Sequence, residues 1–151
     1  MARYTLELDA AQRSELLRLA RRSLETMVQD EPVPVTTRTG DPVLDRRDGV
    51  FVTLKRSGQL RGCIGRVTSD APLTRTVPAL ARSAAREDPR FEPLGASELD
   101  GLHIEVTVLS PLEPINGPED VVVGQHGLVI EAGFNRGLLL PQVATEQGWD
   151  A

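Results

Sequence analysis

The sequence is poor in cysteine, because Cys63 is the single thiol among 151 residues. One cysteine excludes an internal disulfide and any zinc site built from cysteine pairs. No stretch approaches the roughly 18 consecutive apolar residues of a membrane span. The first thirty residues also hold a charged, polar segment where a signal peptide would have an apolar core. We therefore expect a cytoplasmic protein that makes no membrane contact.

Histidine and phosphate-binding motifs are equally scarce. His103 and His126 are the only histidines and fall in different predicted elements, so the spacing of a histidine metal site is missing. The segment Gly62-Cys63-Ile64-Gly65 lacks both the third glycine of a dinucleotide loop and the Lys-Ser/Thr ending of a P-loop. We predict no metal site, and no pattern names a cofactor or a substrate.

Lysine is nearly absent, and positive charge is confined to one part of the chain. Residues 1–90 carry 16 basic and 12 acidic residues, whereas residues 91–151 carry one basic and 10 acidic residues. A pI near 5.1 argues against a broad nucleic-acid surface but leaves room for a small anion pocket. Such a pocket would have to draw on seven cations, which are Arg38, Arg46, Arg47, Lys55, Arg56, Arg61 and Arg66.

Hydrophobic periodicity predicts helices and antiparallel strands in an irregular order. A capping box at Asp9 starts an amphipathic helix over residues 10–29, and prolines make residues 30–48 irregular. Residues 50–54 and 60–67 read as a hairpin. Asp70 is a candidate N-cap for a second helix that contains Pro78 and ends before Asp88.

The last third predicts more strands and a final helix. Residues 102–109 alternate strictly between apolar and polar, and shorter strands are expected at 121–123, 128–132 and 138–140, with a turn at 135–137. Pro141 begins a final helix. No strand-helix-strand series repeats, so we expect an α+β fold with a mixed, mainly antiparallel sheet and flanking helices, in a single domain over residues 1–151.

Strand alternation brings several reactive groups to one side of the hairpin. Arg61 and Cys63 share a strand face, and a nearby cation would favour the thiolate. Gly62 and Gly65 weaken this strand, which indicates a bulge or the close approach of a backbone or a ligand. Glu105 lies on the polar face of another strand, where it would be a general base if that face lines a cleft.

Several motifs together resemble the AMMECR family, named for the Alport syndrome, mental retardation, midface hypoplasia and elliptocytosis chromosomal region. The segment Leu60-Arg-Gly-Cys-Ile-Gly65 is the family hallmark, and further matching blocks lie at residues 51–54, 88–91, 104–109, 124–128 and 140–142. The resemblance implies a small α+β protein of two lobes. It also implies association with a Memo-like protein and a radical-SAM protein. Family members continue beyond the Gly-Trp pair, so we expect this chain to lack their C-terminal helix.

The candidate site residues each have a functional and a structural interpretation. Cys63, Glu105 and His126 are the candidate catalytic residues, and Arg61, Gly62, Gly65, Asp88 and Arg90 are the candidate ligand-binding residues. The structural interpretation makes Cys63 a small buried hydrophobe, Arg61 an ion-pair partner of Glu105 or Asp88, and Asp88 and Arg90 a bracket around a loop.

Three functions follow from these alternatives. The first is an enzyme that uses Cys63 as a nucleophile or redox thiol on a small anionic or nucleotide-like substrate. The second is a non-catalytic module that binds a small ligand, and the third is a protein-interaction module in which the hallmark segment is structural. Either pocket function requires the candidates to converge on one concave surface.

Overall fold

The computed structural model describes residues 7–36 and 39–149. Arg38, one of the seven predicted pocket cations, lies outside these residues. The chain divides into two compact units, Met1–Leu112 and Glu113–Ala151. The first unit contains the hallmark segment and most of the candidate site.

Two helices and three strands build the first unit. Helix α1 spans Ala10–Val28 and begins with the predicted capping box, in which Asp9 accepts from the backbone of Gln12. Strands β1 (Asp48–Arg56) and β2 (Gln59–Thr68) form the predicted hairpin. Helix α2 spans Leu73–Arg86, and strand β3 spans Leu102–Val108.

The sheet of the first unit has the strand order β2-β1-β3, and both pairings are antiparallel. Helices α1 and α2 pack together and cover one face of it, which leaves the second face to the polar side chains of the strands. The buried core contains side chains from both helices and from β1 and β3, including Leu16, Leu24, Val50, Val52, Leu54, Leu73, Val77 and Ile104. Ile64 of β2 is partly buried and packs against this core. This layered arrangement confirms the predicted α+β class.

Helix α2 differs from the prediction at its start. Pro72, not Asp70, is the N-cap, and the helix continues through Pro78 without ending there. Ser23 of α1 donates to the carbonyl oxygen of Pro78 at 2.6 Å, which joins the two helices at this point. A proline within a helix removes one backbone hydrogen bond, and packing in the core compensates for that loss.

The second unit contains a two-stranded antiparallel sheet and one short helix. Strand β4 spans Leu128–Ala132, strand β5 spans Asn135–Leu139, and helix α3 spans Pro141–Gln147. The predicted turn at 135–137 is wrong, because Gly133, with a φ of 61°, and Phe134 connect the two strands. The predicted strand at 121–123 is also wrong, since the backbone amides of Gln125 and His126 donate to the carbonyl of Val122 in a turn.

Candidate functional site

The second face of the three-stranded sheet carries a row of polar side chains. Thr53 on β1 is directly opposite Cys63 on β2 and directly opposite Glu105 on β3. Directly opposed residues point to the same face of a sheet, so the thiol, the hydroxyl and the carboxylate form one row. This row lies on the face opposite Val52 and Leu54, which pack against the helices. The predicted shared face for Cys63 and Glu105 is therefore present.

The Cys63 side chain is half-buried and has polar neighbours. Its Sγ is 3.3 Å from Thr53 Oγ1, and its backbone N–H donates to Asp88 Oδ2 at 3.0 Å. Asp88 therefore fixes the backbone at the thiol, while Thr53 is the side chain that contacts the sulfur. A buried hydrophobic cysteine would lack these polar neighbours.

Asp88 and Arg90 form a bidentate ion pair beside the thiol. Arg90 donates through Nε to Oδ1 at 3.0 Å and through Nη2 to Oδ2 at 2.8 Å, and its backbone N–H also donates to Oδ1. The side-chain bonds from Arg90 are the main reason why the pKa of Asp88 lies far below its usual range. Asp88 is only 4% exposed. The hydrogen bonds between Asp88 and Arg90 close the loop around Pro89, which is the bracket that the structural interpretation predicted.

Arg61 pairs with a carboxylate that sequence reasoning missed. Its Nε and Nη2 donate to the two carboxylate oxygens of Glu98 at 2.9 and 3.1 Å, so the predicted partners Glu105 and Asp88 are wrong. Nη2 also donates to the carbonyl of Glu92 at 2.9 Å. The bonds from Arg61 lower the pKa of Glu98 to about 2. Glu98 lies in a short 3-10 helix, Ala96–Glu98, where no periodic pattern marks it in the sequence.

Glu105 has partners of its own on the polar face. Lys55 Nζ lies 3.1 Å from Glu105 Oε1, and His103 Nε2 lies 3.7 Å from the same oxygen. Because Glu105 and Cys63 are on the two strands that flank β1, about 10 Å separates them by the spacing of neighbouring strands. Glu105 and the thiol therefore can act on two ends of one small molecule, but not on each other.

The two glycines of the hallmark segment have reasons within the fold. A Cβ at Gly62 would collide with the carbonyl oxygen of Ala84 in α2, and a Cβ at Gly65 would collide with the side chain of Phe51 and the carbonyl of Val50. Gly62 allows the helix to lie close against β2. The structure thus supplies the predicted approach of a backbone at Gly62, and the predicted irregularity lies beside it, where the pairing of β1 and β2 shifts register between Leu54 and Lys55. Ligand binding by either glycine stays a prediction.

His126 lies in the second unit, in the turn that precedes β4. Its Nδ1 accepts a hydrogen bond from the backbone N–H of Val122 at 3.0 Å. This bond places the proton of a neutral imidazole on Nε2. The structure brings Arg61, Cys63, Asp88, Arg90 and Glu105 to the first unit, and the convergence of His126 with them stays a prediction.

The predicted cations do not form one pocket. Lys55, Arg56 and Arg61 pair with Glu105 or Glu98, and Arg46 pairs with Asp48 at 2.9 Å. The remaining described members, Arg47 and Arg66, line a cavity that also contains Arg75. No cluster of three or more potential metal ligands occurs within residues 7–36 and 39–149. None of the helices described here is long and apolar enough to cross a membrane.

These features define an α+β protein in which a helix-backed antiparallel sheet presents a cysteine-centred polar row on its second face. Residues 17–151 match the model of the AMMECR1 family. The chain belongs to this family, which confirms the resemblance seen in its sequence motifs.

Archaeal relatives and one solved structure support the assignment. A Methanosarcina acetivorans protein is 43% identical over 143 residues, which covers 89% of this chain and 72% of that protein. A Thermococcus gammatolerans protein is 46% identical over 145 residues and covers 89% and 71%. The crystal structure of an uncharacterised protein from Pyrococcus horikoshii superposes with a TM-score of 0.83 at 42% identity, covering 89% of this chain and 71% of that one.

Proposed function

We propose that the chain is an enzyme in which Cys63 forms a transient covalent bond with a small polar substrate. The observation that carries the proposal is the row of Cys63, Thr53 and Glu105 across three neighbouring strands, on the face that the helices leave uncovered. A nucleophile needs a partner that stabilises its charge and a surface on which the substrate can lie. Thr53, which is only 6% exposed, can stabilise the charge of the thiolate. The half-buried side chains of Cys63 and Glu105 on either side of it form the surface for the substrate.

The roles within the row follow from the contacts. The Thr53 hydroxyl, 3.3 Å from the sulfur, can donate a hydrogen bond to the thiolate. Lys55 and Glu105, paired at 3.1 Å, offer charge and a proton-transfer group to the far end of a substrate. Asp88 is a poor general base, because Arg90 holds its pKa far below its usual range. We therefore assign Asp88 to positioning the backbone of Cys63.

The simplest covalent step is an addition that needs no other reagent. The sulfur attacks the carbon of a carbonyl or imine group, and a sulfur–carbon bond forms. The π electron pair moves to the oxygen or nitrogen, which takes up the proton released by the thiol. The adduct then either reacts further or reverses.

A non-catalytic binding module is the second candidate function. Arg61 and Arg90, the predicted anion clamps, both have their guanidinium groups in bidentate contact with carboxylates of the protein. Gly62 and Gly65 are explained by packing inside the fold. These observations favour a structural hallmark segment and limit ligand contacts to the polar row. The Memo-like and radical-SAM partners stay predictions that come from the family, and the cytoplasmic location stays a prediction that comes from the sequence.

Thiol reactivity distinguishes the two candidates. Because Cys63 is the only cysteine, iodoacetamide at neutral pH reports on this site alone. The enzyme predicts alkylation of the folded protein faster than that of a cysteine peptide. It also predicts a mass-identified adduct after incubation with small carbonyl compounds or a metabolite extract. The Cys63→Ser protein, with the same fold and no thiol, controls for adducts at other side chains.

Two outcomes would overturn the enzymatic proposal. A thiol that alkylates only after unfolding has a packing role and supports the structural hallmark segment. Slow alkylation that a metabolite extract slows further, without any covalent adduct, identifies the binding module. Thermal stabilisation by the extract would accompany that second outcome, since a ligand that binds only the folded state raises its stability.

A further inference from the structure

A cavity of about 440 Å³ lies away from the cysteine row, between the end of β2 and the start of α2. Arg66 reaches it from β2, Arg75 from the first turn of α2, and Arg47 from the segment before β1. Arg66 is directly opposite Val50, a core residue, so the Arg66 side chain projects from the helix-covered face of the sheet. Cys63 lies on the opposite face, and the two sites are distinct.

The three arginines of the cavity are unpaired among the residues that the structure describes. Within the described part of the chain, no hydrogen bond or ion pair involves the side chain of Arg47, Arg66 or Arg75. This differs from the cations around the cysteine row, where Lys55, Arg61 and Arg90 all pair with carboxylates. Three unpaired guanidinium groups on three separate elements create a local excess of positive charge in a chain of net charge −5.

The rest of the lining suits a phosphate group with an organic part. Ser83 supplies a hydroxyl, whereas the Ser69 hydroxyl is already bonded to Thr76 and to the backbone of Ala71. Asp70 is the one acidic residue of the lining. Helix α2 has no acidic residue in its first turn, so the positive end of its dipole adds to the arginines. Ala79 and Leu80 provide an apolar wall. The volume falls within the roughly 300 to 1,000 Å³ typical of small-molecule sites.

We infer that this cavity, defined by Arg47, Arg66 and Arg75, binds a small phosphomonoester. Guanidinium groups match the oxygens of a phosphate with paired N–H donors, and a dianion can satisfy more than one of them. The apolar wall predicts that an organic phosphate binds more tightly than inorganic phosphate. The small size of the charged surface predicts that a polynucleotide has no advantage over a monophosphate.

Calorimetric titration at low salt tests the inference with ribose 5-phosphate, inorganic phosphate and ribose as probes. We expect saturable binding of ribose 5-phosphate, weaker binding of inorganic phosphate and none of ribose. Arg66→Gln and Arg75→Gln should each raise the Kd for ribose 5-phosphate about tenfold, as expected for the loss of one charge-assisted contact. Arg13→Gln is the matched control, because Arg13 is an exposed arginine of α1 outside the cavity and its loss changes the net charge equally.

Several results would overturn the inference. These are no saturable binding of either phosphate, an equal loss of affinity in Arg13→Gln, inorganic phosphate binding as tightly as ribose 5-phosphate, or tighter binding of a short oligonucleotide. NMR of the wild-type protein provides a second test that needs no variant. Ribose 5-phosphate should shift the side-chain Nε–H signals of Arg47, Arg66 and Arg75, and the absence of such shifts at saturating ligand would also overturn the assignment.

Discussion

The two faces of the three-stranded sheet are stabilised by different physical interactions. On the helix-covered face, Val50, Val52 and Leu54 are fully buried against α1 and α2, and Gly62 lies against the backbone of α2. On the second face, the side chains of Cys63 and Glu105 are half-buried and polar, and Glu105 pairs with Lys55. Close packing of apolar groups stabilises the helix-covered face, whereas ion pairs and hydrogen bonds stabilise the second face.

This difference explains why one short motif has two kinds of residues. In Leu60–Gly65, Gly62 is opposite Leu54 on the helix-covered face, and Cys63 is opposite Thr53 on the polar face. Arg61 lies where the pairing of the two strands shifts register, so it has no directly opposed residue on β1. Adding volume should therefore damage the helix-covered face, whereas removing charge should damage the polar face. We expect the effects on stability to decrease in the order Gly62, Asp88, Glu98 and Thr53.

Gly62→Ala should cause the largest loss of stability. The added Cβ would collide with the Ala84 carbonyl oxygen, which belongs to the backbone of α2 and cannot rotate away. Overpacking of a core costs about 1 to 3 kcal/mol and occasionally more, and we expect about 3 kcal/mol or more here. Urea denaturation measures the change. Gly95→Ala is the matched control, because the nearest atom to its added Cβ is 3.9 Å away, and a stable Gly62→Ala protein would contradict the close packing.

Asp88→Asn should be the next most damaging change. The carboxylate accepts from the backbone of Cys63 and from Arg90, and asparagine keeps only one acceptor oxygen. Losing a hydrogen bond to a charged group costs about 1.5 to 3 kcal/mol. We expect about 2 kcal/mol, since Arg90 is half-exposed and water can solvate it after the pair is lost. Chemical denaturation at neutral pH measures this, and an unchanged midpoint would show that the pair contributes little.

The same aspartate gives the protein a dependence on acid. Its folded pKa is lowered, so its contribution to stability is fully present above the unfolded value of about 4 and is lost as the pH falls toward the folded value. The stability difference between wild type and Asp88→Asn should therefore shrink as the pH decreases below about 4. Unfolding measured from pH 7 to pH 2 would reveal the window, and a pH-independent difference would mean that charge is not the cause.

Glu98→Gln should have a smaller effect on stability. Glu98 accepts two hydrogen bonds from Arg61 and one from the backbone of Gly95, but it is more exposed than Asp88. We expect a loss of about 1 kcal/mol, because solvent weakens exposed ion pairs. The pKa of Glu98 is lowered to about 2, so its contribution should disappear as the pH falls from about 4 to about 2. Denaturation of wild type and Glu98→Gln over this range checks both statements.

Sequence periodicity was sufficient for the parts of the fold in which local pattern and burial agree. The alternation in residues 102–109 predicted the polar side of β3. The shared face of Arg61 and Cys63 stays a prediction, because the pairing of β1 and β2 shifts register between Leu54 and Lys55 and leaves Arg61 without a directly opposed residue. The partner of Arg61 could not be predicted in this way. Glu98 is 37 residues away in a short 3-10 helix, so only the tertiary fold brings the two side chains together.

The errors in the second unit have a different cause. Glycine and asparagine both favour turns, so residues 133–137 offered two possible turn positions. The chain uses Gly133 and Phe134, and Asn135 already belongs to β5. The prediction at Val121–Val123 failed because three β-branched residues suggest a strand, but no neighbouring strand pairs with them among the described residues.

Thr53→Val should have the smallest effect on stability and a selective effect on the thiol. Valine keeps the branched shape of threonine, so the strand should pack as before, and we expect a change within about 1 kcal/mol. The variant lacks the hydroxyl 3.3 Å from the Cys63 sulfur. If that hydroxyl donates to the thiolate, iodoacetamide should react about tenfold more slowly, equivalent to about 1.4 kcal/mol of lost stabilisation. Thr107→Val, a change on the same face of β3 but not opposite Thr53, is the control for general effects on the sheet. An alkylation rate equal to wild type in Thr53→Val would show that the contact between hydroxyl and sulfur has no part in the reactivity of Cys63.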